Sequence, residues 1–144
     1  MKVNSSDTDQ LIPTLVAWWA IFMSWIFAFA AFSKFIDIKS FQESLLTIYA
    51  FPPHQLPLVA LAVPIFELVI SYLLITRRCL GLFLSFTFLA VLTIVVQLAL
   101  QNGNEVSCGC FGGYSPISGS FFFARNVALI LVSYLAFLRC AKSR

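Results

Sequence analysis

The sequence predicts an all-α integral membrane protein: a four-helix transmembrane bundle with a short interfacial helix between spans one and two. Three observations carry this reading. Of the 144 residues 60% are apolar and only 10% are charged, whereas a soluble domain carries about 25% charged residues. Mean hydropathy is +0.94. The apolar residues also fall into four stretches, each near the ~20 residues needed to cross the hydrocarbon core. Lipid already solvates apolar side chains, so such helices must associate through close packing and polar contacts rather than by escaping water.

The first span is read at residues 11–35, with Trp18, Trp19 and Trp25, and Pro13 near its start, where a missing N–H does little harm. The ten residues before it are polar. The apolar run is too long for a signal core and lacks a small-residue cleavage site, so it is expected to be a retained span. Residues 57–76 form the second span, with Pro64 inside it, and residues 79–101 the third, after a tight Arg77-Arg78 turn. Residues 119–138 form the fourth, after a connection over 102–118 rich in Gly, Ser and Asn. Between the first two spans Ile38, Phe41, Leu45 and Ile48 recur at helical spacing, with Lys39, Gln42 and Glu43 elsewhere. Ser40 followed by Glu43 fits a capping box, and Pro52-Pro53 would end the helix. A short amphipathic helix lying in the interface is expected there. The length fits a single membrane domain over 1–144. The net charge of +3 comes without a basic run, which excludes a nucleic-acid partner and leaves the lipid bilayer as the obligatory one.

Lys and Arg give the spans a direction. Lys2, Arg77, Arg78, Arg139, Lys142 and Arg144 share one side, and Lys34, Lys39 and Arg125 the other. The positive-inside rule then places both termini in the cytoplasm and the 102–118 connection in the periplasm or an equivalent exterior space.

That connection carries Cys108-Gly109-Cys110. A disulfide between residues i and i+2 closes a small strained ring, and strain makes a disulfide a better oxidant. Gly109 relieves the backbone where a side chain would obstruct closure. Exchange chemistry is the favoured reading. A static structural disulfide, a two-thiolate metal site and a pair of inert thiols stay open beside it. No His or further Cys lies near enough to complete a metal site, and no metal is assigned. Cys79 and Cys140, at the cytoplasmic ends of spans three and four, are expected to be reduced, ordinary residues.

Charged side chains inside a span are costly, and therefore paired or functional. Glu67 falls near the middle of span two, with Pro64 and Ser71 on its face. Arg125 and Asn126 lie about two turns into span four, Thr93 and Gln97 on span three, and Lys34 at the end of span one. Lys34, Glu67, Gln97, Arg125 and Asn126 thus form a supporting polar cluster beneath the cysteine-bearing connection. The same residues also fit a Glu67–Lys34 or Glu67–Arg125 ion pair that only fixes helix register. The tryptophans and the 121–123 phenylalanines read as packing or interface belt, and His54 as a loop residue.

Taken together, Ser33-Lys34-Phe35, the Phe41/Tyr49/Pro52 segment, Pro64 with Glu67, Cys108-Gly109-Cys110-Phe111-Gly112 and Arg125-Asn126 carry a resemblance. The chain resembles the methylamine-utilisation MauE family, within the broader DoxX-like group of four-helix membrane proteins, from about Leu15 to Leu138. The resemblance implies a redox-associated inner-membrane protein that works with thioredoxin-like partners on the disulfides of exported proteins. The wider group includes quinone-linked sulfur oxidation, so a quinone is the one cofactor implied. Disulfide-generating quinone reductases of similar outline use a second cysteine pair near the quinone, and this chain has none on that face. The expected function is membrane thiol–disulfide exchange, with Cys108 and Cys110 as the catalytic pair and a thioredoxin-like extracytoplasmic protein as partner. A non-enzymatic assembly subunit with a structural disulfide is the alternative. A small-molecule or metal transporter using Glu67 and Arg125 is a third reading.

Overall fold

In the computed structural model, residues 5–48, 54–101 and 119–142 are described, with side chains over 14–46, 54–98 and 123–142. They form five helices: α1 (Ser5–Ile36), α2 (Ile38–Ile48), α3 (Leu56–Thr76), α4 (Arg78–Gln101) and α5 (Gly119–Lys142). Four of them contain segments long and apolar enough to cross a membrane: Thr14–Ile36, Leu56–Thr76, Arg78–Leu98 and Phe123–Lys142. The predicted four-span all-α class is therefore the observed one. α1 begins at Ser5, ahead of Pro13, and α5 runs past residue 138 to end on Arg139 and Lys142 in its last turn. Cations suit a helix C-terminus, where the unpaired carbonyls point outward.

Solvent logic is inverted in this bundle. Ser24, Lys34, Glu67, Ser71, Ser85, Thr93, Asn126 and Ser133 are buried, while Trp18, Trp25, Phe29, Phe32, Leu58 and Tyr72 are more than half exposed. That distribution suits a chain whose outer surface meets hydrocarbon and whose polar groups must find each other inside.

The buried stripe of α3 shows how the sequence achieves this. Ala60, Pro64, Glu67, Ser71 and Leu74 recur every three or four residues and all face inward. α1 packs chiefly on α3, and α4 chiefly on α5. Small residues let the first pair come close: the Ser24 hydroxyl donates to the Ser71 carbonyl at 3.1 Å, and the Ser71 hydroxyl donates to the Ser24 carbonyl at 3.0 Å. α3 and α4 are joined by Arg77 alone, whose N–H donates to the Leu73 carbonyl at 2.7 Å. So sharp a return needs Gly81. A Cβ there would stand 2.5 Å from the Leu74 backbone nitrogen, inside any allowed contact. Gly81→Ala must push α4 off α3, an overpacking worth about 1–3 kcal/mol. We expect a correspondingly lower unfolding midpoint in detergent, followed by circular dichroism; an unchanged midpoint would refute the close approach.

α2 is the expected amphipathic helix between the first two spans, with one correction at its start. The cap is Asp37, not Ser40. The Asp37 carboxylate accepts from the Ser40 N–H at 3.1 Å, so Ser40 is the third helical residue instead of the residue before the helix. Ile38, Phe41 and Leu45 are half-buried, while Lys39 and Glu43 are exposed. Pro52-Pro53, Cys108 and Cys110, and with them the 102–118 connection, lie outside the described residues.

A second correction concerns Cys79 and Cys140. They are joined in a disulfide that ties the first turn of α4 to the last turn of α5, with Cα atoms 5.7 Å apart across a sequence separation of 61. Antiparallel pairing of α4 and α5 is the physical cause. Each cysteine lies nearly the same number of residues from the 102–118 connection, so both reach the same depth at the far end of the pair.

Candidate functional site

Helix direction decides where the polar residues meet. Cα–Cβ bonds tilt toward a helix's N-terminus, so Lys34, in the last turn of α1, aims its long side chain back into the bundle. There its Nζ donates to both oxygens of Glu67, at 2.6 Å to Oε1 and 2.8 Å to Oε2. Both side chains are only 3% exposed. Of the two pairings the sequence left open, Glu67–Lys34 is the one formed. Phe41 of α2 lies on this pair, its ring centroid 5.5 Å from Nζ. This is within cation–π range. α2 is thus more than a surface helix, since it covers the ion pair from the side of α1 and α3.

On the other side of the bundle, Asn126 of α5 donates from Nδ2 to the Thr93 hydroxyl of α4 at 3.2 Å, and Thr93 in turn donates to the Leu89 carbonyl at 2.7 Å. Arg125 makes a long 3.5 Å contact from its guanidinium to the Asn126 Oδ1. Gln97 is half-buried on α4 but does not line the cavity that joins these groups.

That cavity has a volume of about 270 Å³ and is lined by residues of α1, α3, α4 and α5. Lys34, Glu67, Arg125 and Asn126 gather in its wall, and Phe27, Phe88 and Leu129 are among the apolar residues completing it. Phe22, also in the wall, is half exposed on the bundle's outer surface. Two cationic groups, one carboxylate and one amide therefore meet an otherwise apolar space within the membrane. Such a wall suits a molecule with an apolar body and a head that accepts hydrogen bonds. Ligand pockets for whole drug-sized molecules run to roughly 300–1,000 Å³, and this one lies just below that range. Thr93 lies eight residues before the end of α4 and Asn126 seven after the start of α5. At 1.5 Å per residue the cluster sits about 10–12 Å beneath the helix ends that the 102–118 connection joins.

Three features of this arrangement escape a reading of the sequence alone: Phe41 over Lys34, Thr93 beneath Asn126, and the hydrogen bond from Trp19 Nε1 to Ser133 Oγ at 3.2 Å. One signal would have found part of it. Asn126, Ser133 and Cys140 are seven residues apart on α5, so they share a face, and all three make contacts to other helices. Trp18 and Trp25 are exposed outward, as belt or packing residues would be. Among the described residues, no three His, Cys, Asp or Glu side chains gather to hold a metal ion.

A polytopic helical membrane protein with a buried polar site under one inter-helix connection is the class these observations define. The chain matches the family described as "Methylamine utilisation protein MauE" over residues 12–139, and it belongs to that family. No curated protein and no solved structure matches it.

Proposed function

We propose that this protein is a membrane thiol–disulfide redox protein, acting in methylamine utilisation on the maturation of an exported protein. The observation that carries the reading is positional. The Lys34–Glu67–Arg125–Asn126 cavity lies about 10–12 Å beneath the facing ends of α4 and α5, and the sequence places Cys108 and Cys110 between those two helices. A thiolate of a thioredoxin-like extracytoplasmic partner attacks the Cys108–Cys110 disulfide, forming a mixed disulfide. The partner's second thiolate then closes the partner's own disulfide, releasing Cys108 and Cys110 as thiols. Two electrons and two protons have moved from the partner to this chain. Family membership in a methylamine-utilisation group supports the setting.

The residues around the cavity would suit the head group of a quinone. Lys34, Arg125 and Asn126 are the donors that would hold its carbonyl oxygens, with Phe27 and Phe88 against the ring. When bound, a quinone supplies a two-electron, two-proton acceptor soluble in the bilayer. The charged side chains orient such a head, and the aromatic walls keep water from it.

Charge supports the orientation in an inner membrane with both termini in the cytoplasm. Arg77, Arg78, Arg139 and Lys142 are exposed at one end of the bundle, whereas Lys34 at the other end is buried and neutralised by Glu67.

The redox state of Cys108 and Cys110 tests the reading. Membranes are equilibrated with a reducing or an oxidising partner protein of thioredoxin type, quenched with acid, alkylated with a mass-tagged maleimide and mapped by peptide mass spectrometry. We expect both cysteines to be tagged after reduction and neither after oxidation. A pair that stays oxidised throughout, while its removal breaks up a complex with another membrane or exported protein, would establish an assembly subunit instead.

A further inference from the structure

We propose that Cys79–Cys140 is a second, reversible thiol–disulfide site, which exchanges with soluble cytosolic thiols at the face opposite the 102–118 connection. The proposal rests on the orientation given above and is separate from the chemistry of Cys108 and Cys110.

The surroundings of the bond point to exchange. It sits between Arg78, the residue that opens α4, and Arg139 in the last turn of α5, with Arg77 and Lys142 exposed at the same end. A basic end of this kind faces the cytoplasm. Thiols there are kept reduced, and the disulfides that do form are usually transient, catalytic or redox-sensing. Both cysteines are half-buried, so a small thiolate can reach the sulfurs. Electropositive, partly exposed surroundings are what distinguish reactive cysteines from inert ones.

A purely mechanical role is poorly motivated. α4 and α5 are already held by the Asn126–Thr93 hydrogen bond and by an aromatic cluster near the disulfide end. In that cluster Phe137 lies 5.7 Å from Phe83 and 5.8 Å from Phe86, and Tyr134 lies edge-on to Phe86 at 5.6 Å. The helix pair therefore has contacts besides the sulfur bridge, and the opened form is expected to stay folded. Cys140 lies in the last turn of α5, on the face that also carries Ser133 and Asn126.

The step balances without a cofactor. A glutathione thiolate attacks one sulfur of the Cys79–Cys140 bond, giving a mixed disulfide and a released cysteine thiolate. A second glutathione thiolate attacks the glutathione sulfur of that mixed disulfide. Glutathione disulfide leaves, and both cysteines become thiols once protonated. The chain gains two electrons and two protons, and glutathione is oxidised. Reclosure is the same exchange run backwards with glutathione disulfide.

Sealed vesicles containing the full, unmodified chain provide the test. Inside-out and right-side-out preparations are treated on their outer surface with glutathione, which does not cross the bilayer. The glutathione is then removed, a membrane-impermeant maleimide is added, and Cys79 and Cys140 are located by peptide mass spectrometry. We expect both residues to be labelled in inside-out vesicles, with labelling lost when glutathione disulfide replaces glutathione and restored on returning to glutathione. Right-side-out vesicles should show none. A bond that glutathione leaves closed in inside-out vesicles overturns this proposal alone, because Cys108 and Cys110 are not read. Labelling confined to right-side-out vesicles overturns the orientation, and so both this proposal and the exterior placement of Cys108 and Cys110.

Discussion

Lys34→Met should destabilise the bundle by about 3–5 kcal/mol, the cost of leaving a buried charge without its partner. Glu67 would then face an apolar wall with its principal neutralising group gone, and Glu67→Leu should be similarly damaging because it strands the lysine. The double variant Lys34→Met/Glu67→Leu is expected to recover most of the loss, since a buried ion pair replaced by well-packed apolar groups is often neutral or better. Unfolding of the purified protein by increasing denaturing detergent, followed through tryptophan fluorescence, gives the three midpoints. Equal damage in the single and double variants would show that the pair is not the energetic unit the 2.6 and 2.8 Å contacts make it. The double variant also separates two roles for the pair. If it is stable and still turns over its partner, the ion pair only fixes how α1 sits on α3. If it is stable and inactive, the charges are part of the working site.

Cys108→Ser should reduce disulfide exchange with the partner to background while leaving the unfolding midpoint where it was. The reason is chemical. A hydroxyl at that position forms no disulfide and offers no sulfur for a thiolate to attack. Cys108 also lies outside the residue ranges of the five helices. Full turnover by Cys108→Ser would end the proposal for this pair.

Much of the fold was legible in the sequence, because the bilayer enforces it. Four apolar runs of adequate length can only be helices, since hydrocarbon offers the backbone no other partner. α2 was legible from Ile38, Phe41 and Leu45 at helical spacing. Its cap was misread because Ser40 and Asp37 are both good capping residues, and the choice depends on how α1 ends, with the Asp37 N–H still bonded to the Ser33 carbonyl at 3.2 Å. Glu67 announced itself as a buried acid, but its partner did not. Lys34 and Arg125 stand at comparable depth, and only the packing of α1 on α3 brings Lys34 to it. The Cys79–Cys140 bond was missed for a related reason. Each cysteine alone looks like an ordinary residue at a helix end, and the bond exists only once α4 and α5 are laid side by side. The cavity was not legible at all, because it is a property of the seam between two helix pairs and of no single helix.

The Lys34–Glu67 contact has a consequence for how this protein responds to an energised membrane. A transmembrane potential acts on net charge, at about 2.3 kcal/mol per elementary charge moved across 100 mV. A lone lysine or glutamate part-way through the bilayer would shift its energy with every change in that potential. Held at 2.6 Å, ammonium and carboxylate form one neutral object. The field exerts opposing forces on its two ends and almost none on the whole. Voltage therefore has little hold on the way α1 and α3 sit against each other.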